Sequence, residues 1–211
     1  MAVRLVSAEP VGIPTGGHAM RAVVIGASAG GPQRVEQILR HLPADFGAPV
    51  AVCQHMPLGF TKTWAERLDR LCSLRVREAR FGEAFEPGSV CVAPIGKHMR
   101  FEREANGAVR IRLDSDFADS LHVPSIDIMM SSAAQAIGSG TLAVLLSGFG
   151  SDGATGMLAV RRAGGHTISE ASDTAVAASM PSAAVKIGAA AEEVSAQDLP
   201  QVVVDRVAGR F

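Results

Sequence analysis

The chain has 211 residues, 47% hydrophobic and 19% charged, with a formal net charge of −1, 22 glycines and three cysteines. That length and apolar content can bury a full core as one α/β domain, and they leave no room for two large ones. Near-neutral charge without a block of like charges excludes the electrostatic footprint of a nucleic-acid or anionic-membrane binder, and no apolar run is long enough to span a bilayer.

Cys53, Cys72 and Cys91 are odd in number and each lies in an apolar segment. Free, buried thiols fit that placement better than disulfides or a metal site, and suit a reducing compartment. The start of the chain lacks a charged flank followed by a sustained apolar stretch, so a cytoplasmic location is expected.

Residues 1–20 contain Glu9-Pro10, Pro14 and Gly16-Gly17 and read as a flexible leader, with residues 21–211 as the single folded domain. Ala22 to Ile25 is an apolar run without alternation, as expected of a strand buried on both faces. It stops at Gly26-Ala27-Ser28-Ala29-Gly30-Gly31-Pro32, and from Val35 apolar residues recur at helical spacing. The stretch is a strand, a tight turn and a helix, with Pro32 suited to the first helical turn.

Pro49 to Gln54 is a second buried strand that ends at His55. Phe60, Trp64, Leu68 and Leu71 mark a helix with Thr61 as its expected cap, and a third strand covers roughly Leu74 to Ala79. Between Arg80 and Leu113 the segments shorten, and Asn106-Gly107 joins two alternating runs into an antiparallel hairpin, expected at one edge of the sheet. A helix from Ser125 to Ile137 and an apolar strand from Thr141 to Ser147 follow. That strand opens into a second glycine-rich turn, Gly148 to Gly153, which carries Asp152 and starts a helix over 154–163. A strand at Thr167 to Glu170, a short helix after Pro181 and a last helix over 198–207 complete a doubly wound, mostly parallel α/β sheet.

Sheets of this class place their sites beyond the carboxyl ends of the strands. Ser28, His55 and Asp152 each follow a different strand at that end, so the fold gathers a hydroxyl, an imidazole and a carboxylate at one rim. These are the parts of an acyl-transfer relay: nucleophile, general base and orienting acid. Gly26-x-Ser28-x-Gly30 matches the nucleophile-elbow pattern in the strand-to-helix setting it requires, and amides from Ala29 to Gly31 can face a developing anion. The relay needs hydrogen-bond contact from Ser28 to His55 and from His55 to Asp152.

Each residue also has a plainer role. An aspartate in a glycine-rich turn commonly accepts the first amide hydrogens of the helix that follows, and a histidine after a strand is commonly structural. A nucleotide-binding module is the rival class, but the glycines spell neither G-x-G-x-x-G nor a P-loop, and the second strand ends in Gln54-His55 rather than an acidic residue for a ribose. The histidines form no H-E-x-x-H pair, so neither a metal nor another cofactor is expected.

Five stretches then resemble one family, the catalytic domain of the CheB-type chemotaxis protein-glutamate methylesterases. They are Ile25 to Pro32, Gln54 to Thr61, Ala93-Pro94 with Lys97-His98-Met99, Pro124-Ser125-Ile126-Asp127, and Leu146 to Ala154, in the family's order. The resemblance implies Ser28 as nucleophile, His55 as base and Asp152 as third member, with Ala29, Gly30, Phe149 and His122 beside the oxyanion and the substrate. It also implies hydrolysis of γ-glutamyl methyl esters on the cytoplasmic helices of chemoreceptors, glutamine deamidation by some members, and a separate protein as a regulatory partner. The leader is too short for the receiver domain that many members carry. Phe149 stands where methionine is usual, Val123 where arginine commonly precedes Pro-Ser-x-Asp, and Ser182 where a basic residue often follows Met-Pro. These departures keep two alternatives in view: a receptor-binding module of weak or no activity, and an esterase for another carboxyl methyl ester.

Overall fold

At the centre of the sheet lies β2 (Ala22–Ala27), every residue of which is buried. The computed structural model describes residues 3–6, 21–115 and 121–210. β2 is flanked by β3 (Val50–Gln54) and β8 (Thr141–Leu145), both parallel to it. Beyond β3 lie β5 (Ser89–Val92) and the edge strand β4 (Arg75–Glu78), and beyond β8 lie β9 (His166–Glu170), β10 (Glu192–Val194) and β1 (Val3–Leu5). Seven strands run parallel and β1 pairs antiparallel with β10. The chain therefore builds outward from β2 in one direction, then returns to β8 and builds outward in the other. This places a topological switch point between β2 and β8, where the first and second glycine-rich turns begin.

Helices cover both faces. α1 (Gly31–His41), α2 (Phe60–Asp69) and α6 (Leu199–Val207) pack on one face through Val35, Ile38, Leu39, Trp64, Leu68, Val202 and Val203. α3 (Ile126–Ala136), α4 (Ala154–Arg162) and α5 (Ser179–Lys186) cover the other through Met129, Met130, Met157, Val160 and Met180. Apolar spacing on each helix supplies one buried stripe, and the unalternating strands are buried from both sides.

The antiparallel hairpin, β6 (His98–Arg103) and β7 (Val109–Asp114), forms its own two-stranded sheet. It packs on α3, where the Phe101 amide donates to Ser132 Oγ at 3.1 Å. Gly107, at φ +88°, supplies its turn.

Several expectations need correction. Thr61 lies within α2 behind Gly59, and its hydroxyl donates to Glu78 Oε1 at 2.5 Å instead of capping the helix. α5 begins at Ser179, so Pro181 sits inside its first turn, where a missing amide hydrogen costs nothing. β8 ends at Leu145, leaving Ser147 in the turn. Within the stretch read as a leader, Val3–Leu5 is an edge strand, whereas residues 7–20 lie outside the described residues. β5 and β10 had no separate assignment from sequence. Of the thiols, Cys53 and Cys91 are buried and Cys72 partly so, and all three are free. Burial pushes them up, to about 12 for Cys91 and about 11 for Cys72.

Candidate active site

The first glycine-rich turn leaves β2 with the Ser28 amide donating to Ser147 O at 2.9 Å, and it closes with the Gly31 amide on Ser28 O at 2.9 Å. Gly30 takes up the turn at φ +79°, and among the described residues only glycines have positive φ, so Ser28 itself sits in ordinary backbone. Gly148 faces Ser28 from the second turn: a Cβ there would lie 2.6 Å from Ser28 Cβ. The amides of Ala29, Gly30 and Phe149 donate to no acceptor among the described residues, while Phe149 is 68% exposed.

His55 follows β3 one position beyond the Ala27–Gln54 register pair, and its amide donates to Ala27 O at 3.0 Å. The backbone of Ser28 and that of His55 are thus neighbours across two paired strands. His55 Nε2 meets Asp152 Oδ2 at 2.8 Å. With the carboxylate ionised, that nitrogen carries the hydrogen and Nδ1 is the acceptor. Nδ1 is buried and has no hydrogen-bond partner among the described residues. Of the two contacts expected from sequence, His55–Asp152 is made and Ser28–His55 is not; such bonds are commonly loose until substrate tightens the site. His122 stacks on the imidazole, ring centroids 4.2 Å apart at 19°.

Asp152 does not cap the helix it precedes. Its Oδ1 accepts from Ser125 Oγ at 3.0 Å and the Asp127 amide at 2.9 Å, and its Oδ2 accepts from the Ile126 amide at 2.8 Å. These donors are the start of α3, whose N-cap is Ser125. The amides of α4 are served by Asp127 instead: its Oδ1 accepts from Gly153 at 2.9 Å and Gly156 at 2.6 Å. Two helix starts thus exchange carboxylates. Burial pushes Asp152 up, but the His55 bond and the α3 amides outweigh it and hold the carboxyl below its ordinary value. For Asp127, burial wins over its amide bonds, with the Asp152 charge adding to it, and the carboxyl is raised.

A third carboxylate supports the nucleophile turn. Glu170, fully buried at the end of β9, accepts from Arg34 Nε at 3.0 Å and from the Ser147 amide at 2.9 Å. Ser147 Oγ donates to Ala29 O at 2.7 Å and accepts from the Ala177 amide at 2.8 Å, so Ser147 ties three segments together at the rim. Burial raises the Glu170 carboxyl despite those partners. No group of three or more His, Cys, Asp or Glu is placed to hold a metal among the described residues.

Comparison with known proteins bears directly on this arrangement. The family model described as CheB methylesterase matches residues 23–203, the whole span from β2 into α6. The chain belongs to the CheB methylesterase family. The crystal structure of the Thermotoga maritima CheB methylesterase catalytic domain superposes with a TM-score of 0.84 at 38% identity, covering 89% of this chain and 99% of that one. Two curated relatives carry the name protein-glutamate methylesterase/protein-glutamine glutaminase. One, from Geobacter sulfurreducens, is 43% identical over 89% of this chain and 50% of its own length. The other, from Bordetella bronchiseptica, is 42% identical over 89% of this chain and 53% of its own length. The chain spans about half the length of the curated relatives it matches.

The doubly wound fold and the family expected from sequence are both found. Ser125, Asp127, Ser147 and Glu170 were not singled out as site residues. Their signal was modest: polar groups at the ends of apolar strands, and an acid in the first turn of a helix.

Proposed function

We propose that this chain is a cofactor-independent serine esterase that hydrolyses γ-glutamyl methyl esters on chemoreceptor helices, with glutamine deamidation at the same site. One observation carries the reading. His55 has one ring nitrogen tied to a carboxylate at a helix start, and its other nitrogen is buried and unengaged beside the serine's turn. The names of the relatives supply the reaction class.

In this reading Ser28 Oγ attacks the ester carbonyl and passes its proton to His55 Nδ1. Asp152 stabilises the imidazolium and fixes its tautomer, helped by the α3 amides that keep it ionised. The Ala29 and Phe149 amides receive the oxyanion. The tetrahedral intermediate collapses, and methoxide takes the proton from His55 and leaves as methanol. Water, deprotonated by His55, then attacks the acyl-serine and restores both residues. With glutamine the leaving group is ammonia.

Exposed Leu58, Phe60, Leu121, Phe149 and Val176 suit a substrate presented on a helical surface. Leu58 and Phe60 follow His55, Leu121 adjoins His122, and Val176 packs against Gly30. No helix is long and apolar enough to cross a membrane among the described residues. The reading adds a cytoplasmic location, with receptor helices and a separate regulatory protein as partners.

Ser28→Ala tests it. Methanol release from methylated receptor should fall by about 10³-fold or more with the melting temperature nearly unchanged. Turnover equal to wild type excludes the mechanism.

A further inference from the structure

Between the nucleophile and the base lies a side chain that the relay does not use. Gln54 ends β3, is 1% exposed, and pairs in register with Ala27. Its Nε2 donates to the carbonyl of Ser28 at 2.8 Å and to the carbonyl of His55 at 3.0 Å. Both hydrogens of one amide nitrogen are therefore spent on the backbones of the two residues whose side chains must exchange a proton.

Two carbonyl oxygens converging at one buried point repel each other unless a donor stands between them. A primary amide is the uncharged side chain that offers two hydrogens from a single nitrogen. The rest of β3 is Val-Ala-Val-Cys, so a polar residue here interrupts an apolar run that would otherwise continue. The space for it comes from the nucleophile turn. A Cβ on Gly31 would fall 2.3 Å from Gln54 Oε1 and 2.7 Å from Ala27 Cβ. Gly30 and Gly31 therefore answer different demands. Gly30 takes the positive φ, and Gly31 leaves room for the Gln54 amide.

We propose that Gln54 is a positioning residue of the relay, clamping the carbonyls of Ser28 and His55 so that the hydroxyl and the imidazole stay within reach. It acts through those two residues and touches no reacting atom. The inference rests on the esterase reading above. Without the clamp the two carbonyls move apart, and a shift of this kind penalises the chemical step rather than substrate binding.

The test uses the full chain, a fluorophosphonate as Ser28 label, p-nitrophenyl acetate as steady-state substrate, and thermal melting. Gln54→Leu keeps the volume and removes the donors; Gly31→Ala keeps Gln54 and displaces its amide. Both should lower kcat and the labelling rate ten- to hundred-fold with KM within twofold of wild type, and Gly31→Ala carries the test if Gln54→Leu does not fold. Two results overturn the proposal while the esterase reading stands: a lowered melting temperature with wild-type kcat and labelling, or a raised KM with kcat unchanged. Wild-type protein that labels no better than Ser28→Ala overturns the esterase reading and the clamp together.

Discussion

The two glycine-rich turns at the switch point share a local pattern and use it in opposite ways. Each follows a buried central strand, bends at positive-φ glycines and opens a helix. In the first, no side chain caps α1, and the amides of Ala29 and Gly30 keep no partner among the described residues. In the second, the polar side chain turns away from its own helix to the start of α3, and α4 takes its acceptor from Asp127. In neither turn is the side chain spent on the helix that follows it. The exchange also gives Asp152 amide donors that hold it ionised.

Breaking the exchange from its two sides should have unequal effects. Asp152→Asn keeps the shape and removes the charge facing His55, so ester turnover should fall by about 10³- to 10⁴-fold. Asp127→Asn keeps an acceptor over Gly153 and Gly156 and should retain most turnover. Equal losses in steady-state assays of the two variants would erase the distinction between them.

The spacing between the helix starts can be tested at Gly156. A Cβ there would lie 2.6 Å from the Asp127 carbonyl oxygen and 2.8 Å from Met130 Cβ. Gly156→Ala should cost about 1–3 kcal/mol in urea denaturation, although the substitution in an open helix would gain about 1 kcal/mol.

The smallest effect concerns the first turn through Glu170 and Ser147. The folded-state pKa of Glu170 is raised, so its contribution to stability is complete below the ordinary glutamate value of about 4.3. It is lost as pH rises through the raised value. Glu170→Gln should remove that slope from melting temperatures measured between pH 4 and 7. Asp152 has the opposite sign: its stabilisation is complete above the ordinary aspartate range and is lost as pH falls through its lowered value.

Much of this was legible before any coordinates. Ala22 to Ile25 and Leu142 to Leu145 are apolar without alternation, as a strand covered on both faces requires. β5 was not legible, because Ser89-Val90-Cys91-Val92 is a short apolar run that becomes a strand only between β3 and β4. β10 carries Glu192 and Glu193 and shows no strand pattern; its Glu192 is buried against Arg206 and His166. Thr61 had the chemistry of a cap, but Glu78 on the edge strand offered its hydroxyl an acceptor.

The amino-acid order by itself determined which central runs are buried strands, where glycine must bend the chain, and which side chains stand at those bends with chemistry to offer: Ser28, His55 and Asp152. Tertiary structure alone decided that Asp152 serves α3 and Asp127 serves α4, that Gln54 bridges two carbonyls, and which nitrogen of His55 remains for a proton. Strand runs and turns depend on neighbours in the chain, whereas a hydrogen-bond acceptor goes to whichever donor packing brings nearest.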